Sequence, residues 1–195
     1  MGLQNRVDPF GRLIETPARG GWLGNRGLLH DTAQRIRRPW RLKAWLVCLL
    51  RFKGRRRTVM SPGLYTELFF LDEATALAAG HRPCCECRRA DYQRFKGLAG
   101  DFPRADDLDA ALHADRLDEA GVKRTYRAEV AGLPDGVFTR DEAGEPWLKW
   151  RGRLHRWTPG GYAESRPVEA GEAEVLTPRL TVETLRRGYA PEVAL

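Results

Sequence analysis

Cys84, Cys85 and Cys87 follow directly on a stretch that reads as strand, turn and helix without a spare residue. Leu68 to Leu71 is an apolar run of strand length. Asp72 can accept hydrogen bonds from the first amides of a helix over Glu73 to Ala79, and Gly80 offers the left-handed residue that stops it. His81-Arg82-Pro83-Cys84-Cys85-Glu86-Cys87 comes next, and Arg88 or Ala90 opens a further helix. A Cys-x-x-Cys pair in such a turn, with backbone N–H groups turned toward the sulfurs, is half of a tetrahedral zinc site. The other ligands must come from elsewhere, and Cys48, His81, Cys85 and His30 are the candidates, with Cys84, Cys87, Cys48 and His81 the preferred set.

The run FFLDEATALAAGHRPCCECRR resembles the second half of the zinc-binding domain of Ada-type DNA repair proteins, over roughly residues 68–95. In that family a strand and an alanine-rich helix lead into a Gly-aromatic-Arg-Pro-Cys-x-x-Cys-Arg motif. The resemblance places the family's second metal-binding pair on Cys84 and Cys87, with His81 where the aromatic residue usually stands. It implies zinc thiolates, contacts to DNA phosphate and a setting in DNA repair. The family's first cysteine pair has no counterpart between Arg55 and Leu68, so neither a complete metal site nor methyl transfer comes with the resemblance.

Charge is distributed unevenly. The chain of 195 residues carries a formal charge of +7, which favours polyanionic partners. From Thr32 through Thr66 there is no acidic residue, while Arg35, Arg37, Arg38, Arg41, Lys43, Arg51, Lys53, Arg55, Arg56 and Arg57 all lie there. Arg51, Lys53, Arg55, Arg56 and Arg57, with Arg82 and Arg88 beside the cysteines, are the candidate nucleic-acid contacts, DNA being favoured over RNA. The longest apolar run, Ala44 to Leu50, is too short to span a bilayer. The clustered cysteines suit metal or redox chemistry in a reducing cytoplasm better than structural disulfides.

The glycine-rich piece ARGGWLGNRGLLHD invites a catalytic reading. Arg26 would neutralise charge on a phosphoryl group, His30 would activate water or protonate a leaving oxygen, and Asp31 would orient the ring or bind a cation. The plainer reading is a surface turn in which Asp31 caps a helix over Thr32 to Arg38. Beyond it, the apolar run from Ala44 is short enough for a strand yet has leucines that suit a helix; a hairpin to Met60 is favoured, with Cys48 in the first strand, a basic turn at KGRRR and a returning strand at Thr58-Val59-Met60. Helices are expected over Ala90 to Lys96, ended by Gly97, and over Pro103 to Ala120, ended by Gly121. From Val122 the period shortens to that of strands separated by Gly-containing turns. Trp147, Trp150, Trp157 and Tyr162 are then either core or a base-stacking face among basic residues. Thr181 opens a last helix over Val182 to Arg187, and the final seven residues are a tail.

The expected fold is α+β: a small zinc-knuckle-like α/β module with an antiparallel β-sheet in the C-terminal half. Three segments are expected. Residues 1–60 form a basic N-terminal region, 61–120 carry the cysteine knuckle and helices, and 121–195 hold the sheet and a C-terminal helix. The function expected is a zinc-containing nucleic-acid-binding protein in DNA repair or processing. The alternatives are a metal-dependent nuclease using the residue 24–31 loop, and a redox or protein-interaction module in which Arg82 and Arg88 lower the thiol pKa.

Overall fold

The computed structural model describes residues 2–54 and 58–195. The basic turn at Arg55, Arg56 and Arg57 lies outside the described residues. Within them, β1 (Arg6–Val7), β2 (Leu13–Ile14), β3 (Trp22–Asn25), β4 (Leu46–Cys48), β5 (Leu68–Phe70) and β6 (Arg82–Pro83) form one sheet in the order β2-β1-β5-β3-β4-β6, with α1 (Glu73–Ala78) between β5 and β6 in the chain. The β1·β5 and β4·β6 pairs are parallel and the others antiparallel. Two helices follow, α2 (Arg89–Ala99) and α3 (Ala105–Arg116). The second sheet takes β7 (Tyr126–Glu129), β8 (Phe138–Arg140), β9 (Pro146–Trp150), β10 (Arg153–Thr158), β11 (Gly161–Pro167) and β12 (Glu172–Val175) in the order β11-β10-β9-β8-β12-β7, antiparallel throughout. Helix α4 (Arg179–Arg186) comes last. The mixed α/β architecture and the antiparallel sheet of the C-terminal half are therefore as the sequence implies.

Helix α1 is the hub. All six of its residues are buried, a condition its composition, EATALA, permits because alanine lets neighbours approach from every side. Ala74 and Ala78 face a core with Phe138, Leu148 and Trp157 of the second sheet. Ala76, with Ala79 just beyond the helix, packs on Val7, Val47, Leu68 and Phe70 of the first. Leu77 joins Phe95, Leu108 and Val182 among the outer helices. Packing thus crosses the chain at residues 60 and 120.

A buried helix start needs partners for its free amides. Asp72 accepts from Thr75 N at 2.8 Å and Thr75 Oγ1 at 2.7 Å, and the Glu192 carbonyl accepts from Glu73 N and Ala74 N. The final residues are accordingly a strap and not the loose tail the sequence suggested: Glu192 N donates to Glu73 Oε2 and Ala194 N to Asp72 Oδ2, each at 3.1 Å. At the other end Gly80 has φ +90°, and a Cβ there would stand 2.6 Å from Arg116 Cδ.

Several expected elements differ. Thr58-Val59-Met60 is not a returning strand, because β4 has both edges occupied, by β3 and by β6. Thr32 to Arg38 is not a helix; Asp31 instead accepts from the amides of Ala33 and Arg35 in a turn. Helix α2 runs through Gly97 to Ala99, since Tyr92, Phe95 and Ala99 are its buried residues and carry it past the glycine. Helix α3 stops at Arg116, where Leu117 bridges to Lys123 and Asp118 closes the turn by accepting from Val122 N and Gly121 N. Helix α4 starts two residues before Thr181.

Candidate metal centre and its surroundings

The parallel register of β4 on β6 pairs Leu46 with Arg82 and Val47 with Pro83. One residue further, Cys84 N donates to Val47 O at 3.0 Å, which brings Cys84 beside Cys48 at the ends of both strands. The turn that follows returns Cys87 to the same point. The sulfurs of Cys48, Cys84 and Cys87 lie within 4.8 Å of one another. Glu86 N donates to Cys84 Sγ at 3.4 Å, Cys87 N also reaches Cys84 Sγ, and Leu49 N reaches Cys87 Sγ. Amides aimed at sulfur are what a metal thiolate centre requires, because they hold negative charge on the sulfurs. The cluster can coordinate a metal ion.

The thiols share their protons unevenly. Hydrogen bonds from Cys48, and then from the Cys87 and Glu86 amides, pull Cys84 down to about 5 against the opposing effect of burial. Cys87 is lowered for the same first reason. Cys48 is raised, first by its bonds to those two sulfurs and then by burial. A cation bound to the three sulfurs would displace the protons they share. Cys85 is exposed and outside the cluster.

His81 is not gathered into this group. It is fully buried, with Nε2 accepting from Arg26 Nε at 3.1 Å and its ring packed on Phe70 and Trp45. Burial first, and then Arg26 and Arg116, lowers its pKa well below the ordinary range. Arg26, Asp31 and His30 do not form a common site. Arg26 is wholly buried, donating to His81, Gly11 O and Pro39 O. His30 is buried against Thr66 Oγ1 at 2.7 Å and Ser61 O at 3.3 Å. Asp31 pairs with Arg37 and Arg35 at the surface. The glycines before them serve strand contact, since a Cβ on Gly24 would stand 2.4 Å from the Phe70 ring.

Of the basic candidates, Arg51 and Lys53 are exposed, whereas Arg82 and Arg88 are buried. Arg82 pairs with Asp109 at 2.7 Å. Arg88 pairs with Glu73 at 2.8 Å and lies over the Trp22 ring, so the arginine after the cysteine pair ties the knuckle to α1. Trp147 and Trp157 are core; Trp157 Nε1 donates to Thr75 Oγ1 at 3.1 Å, and Tyr162 OH donates to Asp72 at 2.7 Å. The segment Arg38 to Lys43, legible in the sequence as part of the basic run, sets a proline and a tryptophan among its cations.

Compared with known proteins, the chain matches no family model, no curated protein and no solved structure. Among the described residues no helix is long and apolar enough to cross a membrane.

Proposed function

We propose that this is a zinc-containing nucleic-acid-binding protein, in which Cys48, Cys84 and Cys87 hold the metal and the exposed basic run after Asp31 contacts phosphate. The observation that carries the reading is the convergence of three thiols from two distant segments, with backbone amides directed at the sulfurs. Three thiolates favour zinc over harder divalent ions, and zinc here would tie the end of β4 to the start of α2. Cys48 takes a place that the Ada-type resemblance leaves empty, and that resemblance favours DNA and a role in its repair or processing. Arg38, Arg41, Lys43, Arg51 and Lys53 are exposed on the segment that ends in β4 or leaves it, which supports phosphate contact near the metal.

Two measurements on one preparation test this. Protein purified reduced and without chelator should contain stoichiometric zinc, and it should bind DNA with an affinity that falls steeply with salt. Absence of metal ends the zinc reading, and absence of salt-dependent binding to both DNA and RNA ends the nucleic-acid reading.

A further inference from the structure

Two buried arginines hold one surface loop. Arg26 Nη1 donates to Pro39 O at 3.4 Å, and the Arg26 carbonyl accepts from Arg41 N and Leu42 N, each at 3.0 Å. Arg116 Nη2 donates to Lys43 O at 2.6 Å and reaches His113 Nδ1 at 2.8 Å. Between these guanidiniums stands Trp45, whose ring lies 3.9 Å from the Arg26 Cζ and 4.0 Å from that of Arg116, and whose Nε1 donates to Leu42 O at 2.9 Å. The loop from Arg38 to Lys43 is thus fixed by its carbonyls and amides from inside the protein.

The loop sets a partly exposed aromatic ring among cations. Trp40 is half-buried, its ring edge-on to His113 at a centroid distance of 4.5 Å. Arg38, Arg41 and Lys43 are exposed. Among the described residues, the ion pairs of this basic run are those of Arg35 and Arg37 with Asp31, which leaves these three cations uncompensated. A flat ring on a fixed backbone, flanked by free cations, offers stacking to a base and charge to the phosphates beside it. Bases inside a duplex have no free face to stack on such a ring.

Resting on the nucleic-acid reading above, we infer that Trp40 is a base-stacking platform which, with Arg38, Arg41 and Lys43, takes single-stranded nucleic acid. The test is fluorescence anisotropy with labelled single-stranded and duplex oligonucleotides, and with an abasic strand of equal length. Trp40→Ala should weaken single-strand binding by about 5- to 150-fold, leave its salt slope and duplex binding unchanged, and be largely rescued by Trp40→Phe. Wild-type protein should bind the abasic strand more weakly by a similar factor, a readout that does not depend on the variant folding. Arg41→Gln with Lys43→Gln should instead flatten the salt slope by about two phosphate contacts. Equal wild-type affinity for abasic and normal strands, or equal loss on duplex and single strand in a folded Trp40→Ala, overturns the platform while leaving nucleic-acid binding intact. Failure of the wild type to bind any nucleic acid overturns the function proposed above and the platform with it.

Discussion

Nε of Arg26 lies 3.1 Å from Nε2 of His81 inside the protein, and the bond fixes the imidazole as the neutral tautomer protonated at Nδ1. A proton on Nε2 would face the guanidinium donor directly. The folded pKa of His81 is therefore depressed, by burial first and then by Arg26 and Arg116. The unfolded chain takes up a proton near pH 6.5 that the folded chain refuses, so the sign is a loss of stability as pH falls below that value. In metal-free protein the unfolding free energy from urea titration should fall between pH 7 and 5, by up to about 1.4 kcal/mol per pH unit. His81→Gln, which can still accept from Arg26, should show a shallower drop; an identical pH profile would exclude His81 as its source.

Arg26→Met removes the buried cation and leaves the Gly11 and Pro39 carbonyls and His81 Nε2 without their donor. The bond to His81 is buried and the other two are part-buried, and a buried acceptor orphaned in this way costs about 1–3 kcal/mol when water cannot replace the donor. The variant should lose about 3 kcal/mol by chemical denaturation, and its Trp40 segment should become more accessible to limited proteolysis.

Cys48→Ser and Cys85→Ser should separate cleanly. The first removes a sulfur from the cluster and should abolish stoichiometric metal, with a fall in apparent stability of several kcal/mol in zinc-loaded protein. The second alters an exposed side chain outside the cluster and should leave metal content and melting temperature unchanged. Elemental analysis beside thermal melting reads both.

Gly24→Ala should destabilise the fold even though the residue sits in a strand. Its Cβ would fall 2.4 Å from Phe70 Cε2 and 3.1 Å from Leu68 Cβ, both fully buried. Overpacking of that kind costs about 1–3 kcal/mol, and a shift in the denaturation midpoint measures it.

Neutralising Arg55, Arg56 and Arg57 to Gln should weaken binding across nucleic-acid sequences alike and flatten its salt dependence, as loss of phosphate contacts does. An unchanged salt slope would remove that segment from the interface.

What the sequence disclosed was the local chemistry. Asp72 at the start of α1, Gly80 after it and the knuckle itself follow from hydrogen bonding and backbone freedom within a few residues, and each stands where expected. Cys48 could be named as a ligand candidate by counting, but its arrival beside Cys84 depends on a parallel pairing of β4 with β6, which no local pattern encodes. Arg26, expected in catalysis, and His81, expected at the metal, differ for a related reason: residue types suited to those tasks are equally suited to satisfying one another when buried, and burial is set by the whole fold. Arg82 and Arg88 suit phosphate contact by residue type and position, but the fold buries them against Asp109 and Glu73.

The strap over α1 sets an order of events during synthesis. The amides of Glu73 and Ala74 find their acceptor in the Glu192 carbonyl, and Glu73 Oε2 takes its bond from Glu192 N, 119 residues along the chain. While a ribosome is still extending the second sheet, the start of α1 must rely on water and on Asp72 alone. Completion of the hub, and with it the firm seating of Arg88 on Glu73 beside the cysteine cluster, therefore waits until residue 192 has emerged.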